Sequence, residues 1–413
     1  MLTRRWHVLA LLLFTRGSMG FQFQSVAAFA PLLSRDLALT PAQIGVLIGL
    51  YMLPGILVAI PAALVGQWLG GKRTVLLALT LMAVSGFALA AAGFAEAPAG
   101  FAESSAGFAG AAGTGFALAA VARLLGGTGM ALLNVLVTKM VADRFEGRET
   151  ATAMGLLLAV WPAGMALALA TLGGLATVLS WQVSAAVTGV WPLAALALVA
   201  LLYRDVPHAT GAGHPPALRG VLSLRMFGLS SAAGWAWTLY NCGLIALISF
   251  GPTVLVARGA TLAHAGLISS LITWGMMIGT PTGGLLTDAT RRPVRIVVFA
   301  CVSGALGVGA ILLGSSAVHF LLMGFCIGLP TGPIMAMLGQ ALPARERGLG
   351  YGILLSWYYL GLGAVPAVAG WVQQSIGSPL AIVPLSAALI LAALLPYAGF
   401  HQLKRLGSGG SRR

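Results

Sequence analysis

The segment Ala63–Arg73 reads ALVGQWLGGKR, and 221 positions later Gly284–Val294 reads GLLTDATRRPV. In both segments an apolar run leads into a connection with a basic pair. The same offset, without a gap, aligns four further pairs of identical residues: Pro31 with Pro252, Thr40 with Thr261, Ala42 with Ala263 and Gly45 with Gly266. The sequence therefore predicts two related halves.

The composition excludes a water-soluble globule. Of 413 residues, 59% are hydrophobic and 8% are charged, and the mean hydropathy is +0.95. The formal net charge of +14 would suit nucleic acid, but the basic residues form short clusters between apolar runs and no continuous polar face. That distribution indicates membrane topology, and we expect membrane lipids and no nucleic acid as partners.

Apolar runs of about 20 residues are long enough to cross a bilayer as helices, which satisfy their own backbone hydrogen bonds. Twelve such runs are present, at about 7–30, 42–66, 74–95, 115–141, 149–175, 183–203, 224–250, 263–287, 294–315, 318–342, 349–371 and 379–400. We predict an all-α membrane protein with a six-helix bundle over 1–203, a linker rich in proline and glycine over 204–223, and a second bundle over 224–413.

Lysine and arginine are concentrated in alternate connections between the spans. They are concentrated at both termini and in every second connection, whereas the opposite connections hold only Arg35 and Arg258. By the positive-inside rule both termini are cytoplasmic, as expected of a multi-pass protein of the bacterial inner membrane. The start, MLTRRWHVLALLLF, also fits a secretory signal, but the apolar character resumes after Arg16, which favours a retained first helix.

No enzymatic chemistry is visible in the sequence. Cys242, Cys301 and Cys326 lie inside apolar runs without the spacing of metal ligands, so neither a metal nor another cofactor is expected. No nucleophile with a base and no phosphate loop has its expected spacing. A tandem heptad starting at Gly93, Gly100 and Gly107 fits a tolerated loop.

The repeated turn resembles the motif of the major facilitator superfamily that follows the second helix, roughly G-x-x-x-D-R-x-G-R-R. Gly70, Lys72 and Arg73 match its basic end, but Gln67 stands where the acid belongs. The second copy keeps Gly284 and Asp288 with Arg291 and Arg292. The resemblance implies that these residues gate the cytoplasmic side.

Two further stretches resemble the same superfamily. Arg123, Gly127 and Gly129 are similar to its R-x-x-x-G-x-G pattern in the fourth helix, and Ile44–Gly55 looks like the cyanate and nitrate porter branch. The resemblance implies a twelve-helix carrier with two parallel repeats, the layout of many secondary transporters.

Polar residues within the spans are the candidate solute contacts. Arg16, Gln22 and Gln24 make the first span the most polar, and an arginine at that depth must face protein or a watery cavity. Arg123 and Asn134 lie on nearly one face of the fourth span. For both arginines the alternative is a structural role, with hydrogen bonds to neighbouring helices.

Aromatic residues form the second candidate set, since buried tyrosine and tryptophan need hydrogen-bond partners that a solute could supply. Core packing is the alternative for each of them. The set comprises Trp161, Trp237, Tyr240, Asn241, Trp357, Tyr358 and Tyr359. Trp237 corresponds to Arg16 at the 221 offset, so a cation and an aromatic plane are expected to face one cavity.

The sequence predicts a monomeric carrier of a small organic or inorganic anion, working by alternating access. All nine acidic residues fall in connections or at span ends, so we expect facilitated or exchange transport, or a cargo that brings its own proton. The alternatives are efflux of amphipathic drug-like compounds and proton-coupled solute symport.

Overall fold

The computed structural model describes residues 5–95, 113–145, 149–203 and 223–409, with the backbone alone at 59–64, 67, 150–152, 344–345, 348 and 407–409. The described chain is helical, with short 3-10 turns at Ala92–Phe94 and Pro379–Ala381. Its α-helices are α1 Arg5–Ala28, α2 Ala30–Asp36, α3 Pro41–Leu50, α4 Pro54–Leu69, α5 Gly71–Ala91, α6 Thr114–Arg144, α7 Thr150–Val178, α8 Trp181–Leu202, α9 Leu224–Ala257, α10 Leu262–Thr290, α11 Pro293–Ala310, α12 Ala317–Gly328, α13 Thr331–Ala341, α14 Ala344–Ile376, α15 Ile382–Ala392 and α16 Leu394–Gly409.

Each of the twelve predicted runs carries helix, so the predicted fold class is confirmed. Within the described ranges, eleven helical stretches are long and apolar enough to cross a membrane. The first run is not among them. Arg16, Gln22 and Gln24 lower the hydropathy of α1, and 18 of its residues are nevertheless buried. The first helix is therefore surrounded by protein.

Two of the runs are divided into two helices next to a proline. Pro54 begins α4 after a turn at Tyr51–Leu53, and Pro330 precedes α13. Proline lacks the N–H that would continue the helical ladder, and its ring clashes with the preceding turn. Pro162 and Pro366, in contrast, lie inside continuous helices.

The helices divide into two compact units that do not follow the sequence halves. Unit 1 comprises 1–204, 246–274 and 363–382, and unit 2 comprises 205–245, 275–362 and 383–413. Unit 1 thus contains the end of α9, the beginning of α10 and the end of α14. The bundles predicted over 1–203 and 224–413 stay a prediction, and 204–222 of the predicted linker lies outside the described residues.

In unit 1, α1 packs against α7 and α8, and α5 packs against α6 and α8. Glycine permits the shortest approaches: a Cβ at Gly20 would collide with the carbonyl oxygen of Trp161, and one at Gly45 with that of Pro366. Small residues at such contacts allow two backbones to touch, as is common between membrane helices. The second contact joins α3 to α14.

In unit 2, α10 lies directly on α12 and the turn after it. A Cβ at Gly275, Gly279 or Gly283 would collide with the carbonyl oxygen of Leu321, Phe325 or Leu329, respectively. The three glycines recur every four residues and form one face of α10. The sequence therefore builds the second unit with the same small-residue packing as the first.

Candidate functional site

Arg16 is the most prominent polar residue of α1. The residue is 6% exposed, and its Nη1 donates a hydrogen bond to Thr138 Oγ1 over 3.3 Å. The Thr138 hydroxyl donates in turn to the carbonyl oxygen of Asn134, one helical turn back, over 2.6 Å. Arg16 therefore lies against the polar face of α6, where the half-buried Asn134 is also found.

Gln22 and Gln24 are both 1% exposed, and both bind backbone. Gln22 Nε2 donates to the carbonyl oxygen of Met82 over 2.7 Å, and its Oε1 accepts from the Tyr51 hydroxyl over 3.2 Å. Gln24 Nε2 donates to the carbonyl oxygen of Ile248 over 2.9 Å. These hydrogen bonds join α1 to α5 and α9, so they favour a packing role for the two glutamines.

Arg123 is completely buried, and all three of its nitrogens donate to backbone carbonyl oxygens. The acceptors are Leu47 for Nε at 2.9 Å, Gln22 for Nη1 at 2.8 Å and Phe23 for Nη2 at 2.9 Å. Its guanidinium also lies over the Tyr51 ring, with Cζ 4.5 Å from the centroid. The substrate role stays a prediction, and these contacts favour the structural alternative.

Trp161 is half-buried on α7, and its ring lies parallel to that of Phe23 with the centroids 5.8 Å apart. Of the candidates in unit 1, Asn134 and Trp161 are half-buried, and Arg16 is 6% exposed. Gln22, Gln24 and Arg123 are enclosed by protein.

The aromatic candidates of unit 2 form one cluster on α9 and α14. The Trp237 ring lies nearly parallel to those of Tyr240 and Tyr358, with centroid separations of 6.4 and 6.1 Å. Tyr358 also meets Tyr359 edge to face at 5.7 Å. Trp237 and Tyr358 are half-buried, whereas Tyr240 and Tyr359 are buried.

Trp357 and Asn241 have contacts of their own. Trp357 Nε1 donates to Ser231 Oγ over 3.2 Å and packs on Trp235, with the centroids 4.9 Å apart. Asn241 Nδ2 donates to the carbonyl oxygen of Trp237 over 2.8 Å, one turn back on α9. Of the predicted set in unit 2, the structure brings Trp237, Tyr240, Tyr358 and Tyr359 together, whereas Trp357 packs on Trp235.

The first gating turn links α4 to α5 through Gly70, whose φ of +83° and ψ of 152° are accessible to glycine and strained for other residues. Lys72 Nζ donates to the carbonyl oxygens of Ala200 and Tyr203 over 2.8 and 2.7 Å and so caps the end of α8, and Arg73 is exposed. The side chain of Gln67 lies outside what the structure describes.

The second gating turn follows α10. Asp288, Arg291 and Arg292 are exposed, and within the described ranges none of the three forms an ion pair. Arg291 has a φ of +53°. The gating role of both turns stays a prediction.

Sequence reasoning missed two residues of the polar network, Thr138 and Tyr51. Thr138 lies four residues after Asn134, a spacing that places both on one helical face. Tyr51 is a tyrosine in an apolar run, which signals a buried hydroxyl that needs a partner.

In the described ranges, no group of three or more His, Cys, Asp or Glu side chains could hold a metal ion.

Comparison with known proteins places this arrangement in a family. The model of the Major Facilitator Superfamily matches residues 12–318, and the chain belongs to that superfamily. The protein is therefore a membrane transporter of small-molecule solutes and not an enzyme. The finer resemblance to cyanate and nitrate porters stays a prediction.

Three proteins illustrate the similarity. A gallate transporter of Pseudomonas putida is 25% identical over 440 residues, which cover 96% of this chain and 92% of that one. The structure of a D-xylose-proton symporter has a TM-score of 0.71 at 16% identity and covers 95% and 97% of the two chains. A bacterial homolog of the human lysosomal transporter Spinster gives 0.68 at 15% identity, with 98% of both chains covered. The last two show a shared fold.

Proposed function

We propose that the protein transports a small anion, organic or inorganic, by alternating access, as a facilitator or an anion exchanger. The observation that carries this proposal is Arg16: a guanidinium, 6% exposed, within a membrane helix and beside neutral polar groups of α6. Arginine stays charged in proteins, and its planar fork matches carboxylate and similar oxyanions.

The contrast between the two buried arginines supports this role for Arg16. Arg123 directs its three nitrogens to carbonyl oxygens of α1 and α3, which stabilises helix packing. Arg16 has a hydroxyl partner on α6, with Asn134 on the same helix. The Thr138 hydroxyl is a neutral acceptor, and a guanidinium forms stronger hydrogen bonds with a carboxylate than with a neutral group.

The positions of the acidic residues support transport without a titrating carboxylate. In the described ranges the acids are Asp36, Asp143, Glu149, Asp288 and Glu346, and each lies within the first or last turn of a helix or next to a helix end. Proton relays through membranes use ionisable side chains inside the spans. The described helices offer no carboxylate there, which favours facilitated or exchange transport.

The aromatic cluster and the curated relative favour an organic anion. Trp237 and Tyr358 present half-buried rings, which suit a planar or apolar body. Gallate, named for the relative in Pseudomonas putida, is itself an aromatic carboxylate. We therefore place small aromatic carboxylates first among the candidate solutes.

A thermal-shift screen of the purified protein tests the proposal. A solute that binds only the folded state at 100 times its Kd stabilises it by about 2.7 kcal/mol. We expect small carboxylates to raise the melting temperature of the native protein and of an Arg35→Gln control, since Arg35 is exposed. Arg16→Gln should fold and lose the shift.

Two results would count against the proposal. A folded Arg16→Gln protein that keeps its full shift would remove Arg16 from the site. Stabilisation by drug-like cations and by no anion would favour efflux of amphipathic compounds instead.

A further inference from the structure

A groove of about 410 Å³ lies between α11 and α12 in unit 2, and its lining includes none of the candidate residues described above. Its wall is mostly apolar and includes Gly307 and Leu322, with three polar residues: Ser303, Ser316 and His319. Its volume falls within the range of about 300–1,000 Å³ that is usual for small-molecule pockets.

The polar end of the groove lies at the connection between α11 and α12. Ser316 stands in the connection between α11 and α12, and its hydroxyl accepts the backbone N–H of His319 over 3.3 Å. His319 Nε2 lies 2.8 Å from the carbonyl oxygen of Gly307. A carbonyl only accepts, so Nε2 carries the proton, and Nδ1 is the second polar atom of the ring.

The apolar end lies deeper. Cys326 follows His319 by seven residues, about 10 Å along a helix at 1.5 Å per residue. The groove therefore runs from a hydroxyl and an imidazole at the helix ends into the apolar part of the span. This polarity matches an amphiphile with its head at the surface and its tail inside.

The residues around the groove indicate that the amphiphile enters from the lipid bilayer and not from water. Val318 and Leu322, which line it, are 65% and 58% exposed, and Leu306 on α11 and Leu313 in the connection are 69% and 90% exposed. Exposed apolar surface of this kind on a membrane span faces hydrocarbon. A water-soluble solute would have to cross hydrocarbon to enter, whereas a lipid is already there.

We infer that the groove binds one membrane phospholipid, with an acyl chain along α11 and α12 and the phosphate at Ser316 and His319. The Ser316 hydroxyl can donate to a phosphate oxygen, and His319 Nδ1 can accept from a headgroup hydroxyl, which phosphatidylglycerol has and phosphatidylcholine lacks. The lipid already lies in hydrocarbon, so its acyl chain gains stability in the groove from close packing against α11 and α12.

Photo-crosslinking tests the inference on the full-length protein in nanodiscs. The probe is a phosphatidylglycerol that carries a diazirine in one acyl chain, and crosslinked peptides are mapped by mass spectrometry. We expect crosslinks to concentrate on the segments around Ser303 and Cys326. Cys326→Phe should fill the deep end and lower them by at least about fivefold, a difference near 1 kcal/mol.

Cys326→Ala is the matched control, because it leaves the groove open and should keep the native crosslinks. Should Cys326→Phe not fold, Val318→Trp at the mouth takes its place. His319→Gln keeps a donor for Gly307 and should lose only the preference for phosphatidylglycerol over phosphatidylcholine. Crosslinks spread evenly over all lipid-facing helices, or unchanged in the folded groove-filling variant, would overturn the inference.

Discussion

Gly70 and Arg291, 221 positions apart in the repeat, both have positive φ, at +83° and +53°. They are the corresponding residues of the two gating turns, each between a long helix and the next one. A positive φ thus recurs at the corresponding position of both halves, although only the first copy has the residue type that adopts it without strain. The repeat is therefore structural as well as sequential.

This relationship predicts stability changes of opposite sign. Gly70→Ala should destabilise the protein by about 1–3 kcal/mol, because its φ and ψ lie in a region that is essentially restricted to glycine. Arg291→Gly should stabilise it by up to about 1 kcal/mol by removing left-handed strain. Thermal unfolding in detergent measures both. Equal effects of the same sign would refute the comparison of the two turns.

The contact of α3 with α14 predicts a second pair of changes. A Cβ at Gly45 would collide with the carbonyl oxygen of Pro366, so Gly45→Ala should cost about 1–3 kcal/mol by overpacking. At Gly155 on α7 nothing lies within 4 Å of the added Cβ. Gly155→Ala should therefore gain up to about 1 kcal/mol of helix propensity. A neutral Gly45→Ala would mean that these helices are not in close contact in the membrane.

The hydrogen bonds of the buried Arg123 predict that its substitution reduces the stability of the fold. Arg123→Lys keeps the charge but cannot reach the three carbonyl oxygens of Leu47, Gln22 and Phe23 together. Each lost hydrogen bond to a charged group costs about 1.5–3 kcal/mol. We expect a large loss of folded yield in size-exclusion chromatography. A well-folded Arg123→Lys protein that has lost only solute binding would instead place Arg123 in the solute site.

The basic connections predict the orientation of the chain. Both termini should lie in the cytoplasm, because lysine and arginine cluster there and in every second connection. Cysteine-reactive probes that do not cross the membrane should label a C-terminal cysteine tag only after the cells are lysed. Labelling in intact cells would contradict the predicted topology.

The fold could be predicted from the sequence because membrane helices are recognisable from the length and hydropathy of their apolar runs. Pro54 and Pro330 also mark the divisions that the structure shows. The division into units could not be predicted, since it depends on contacts such as that of Gly45 with Pro366, between residues far apart in the chain. No local pattern encodes such a pairing.

The sequence could predict which residues are candidates for the site, but it could not predict the role of each one. The sequence marks Arg16, Gln22 and Arg123 equally as polar residues in apolar helices. Only coordinates show that Gln22 and Arg123 bind backbone carbonyls, whereas Arg16 meets a hydroxyl on α6. Lys72 was predicted as a gating residue, and the structure shows that it also caps α8. Its acceptors lie more than 120 residues away in the sequence, so this contact could not be predicted.

The most direct test of anion transport is a flux measurement on purified protein in liposomes, with a radiolabelled small aromatic carboxylate outside. Uptake should persist without a proton gradient, accelerate when unlabelled anion is loaded inside, and be lost in Arg16→Gln but not in Arg35→Gln. An uptake that vanishes without the gradient and survives in Arg16→Gln would contradict both the proposed coupling and the proposed role of Arg16.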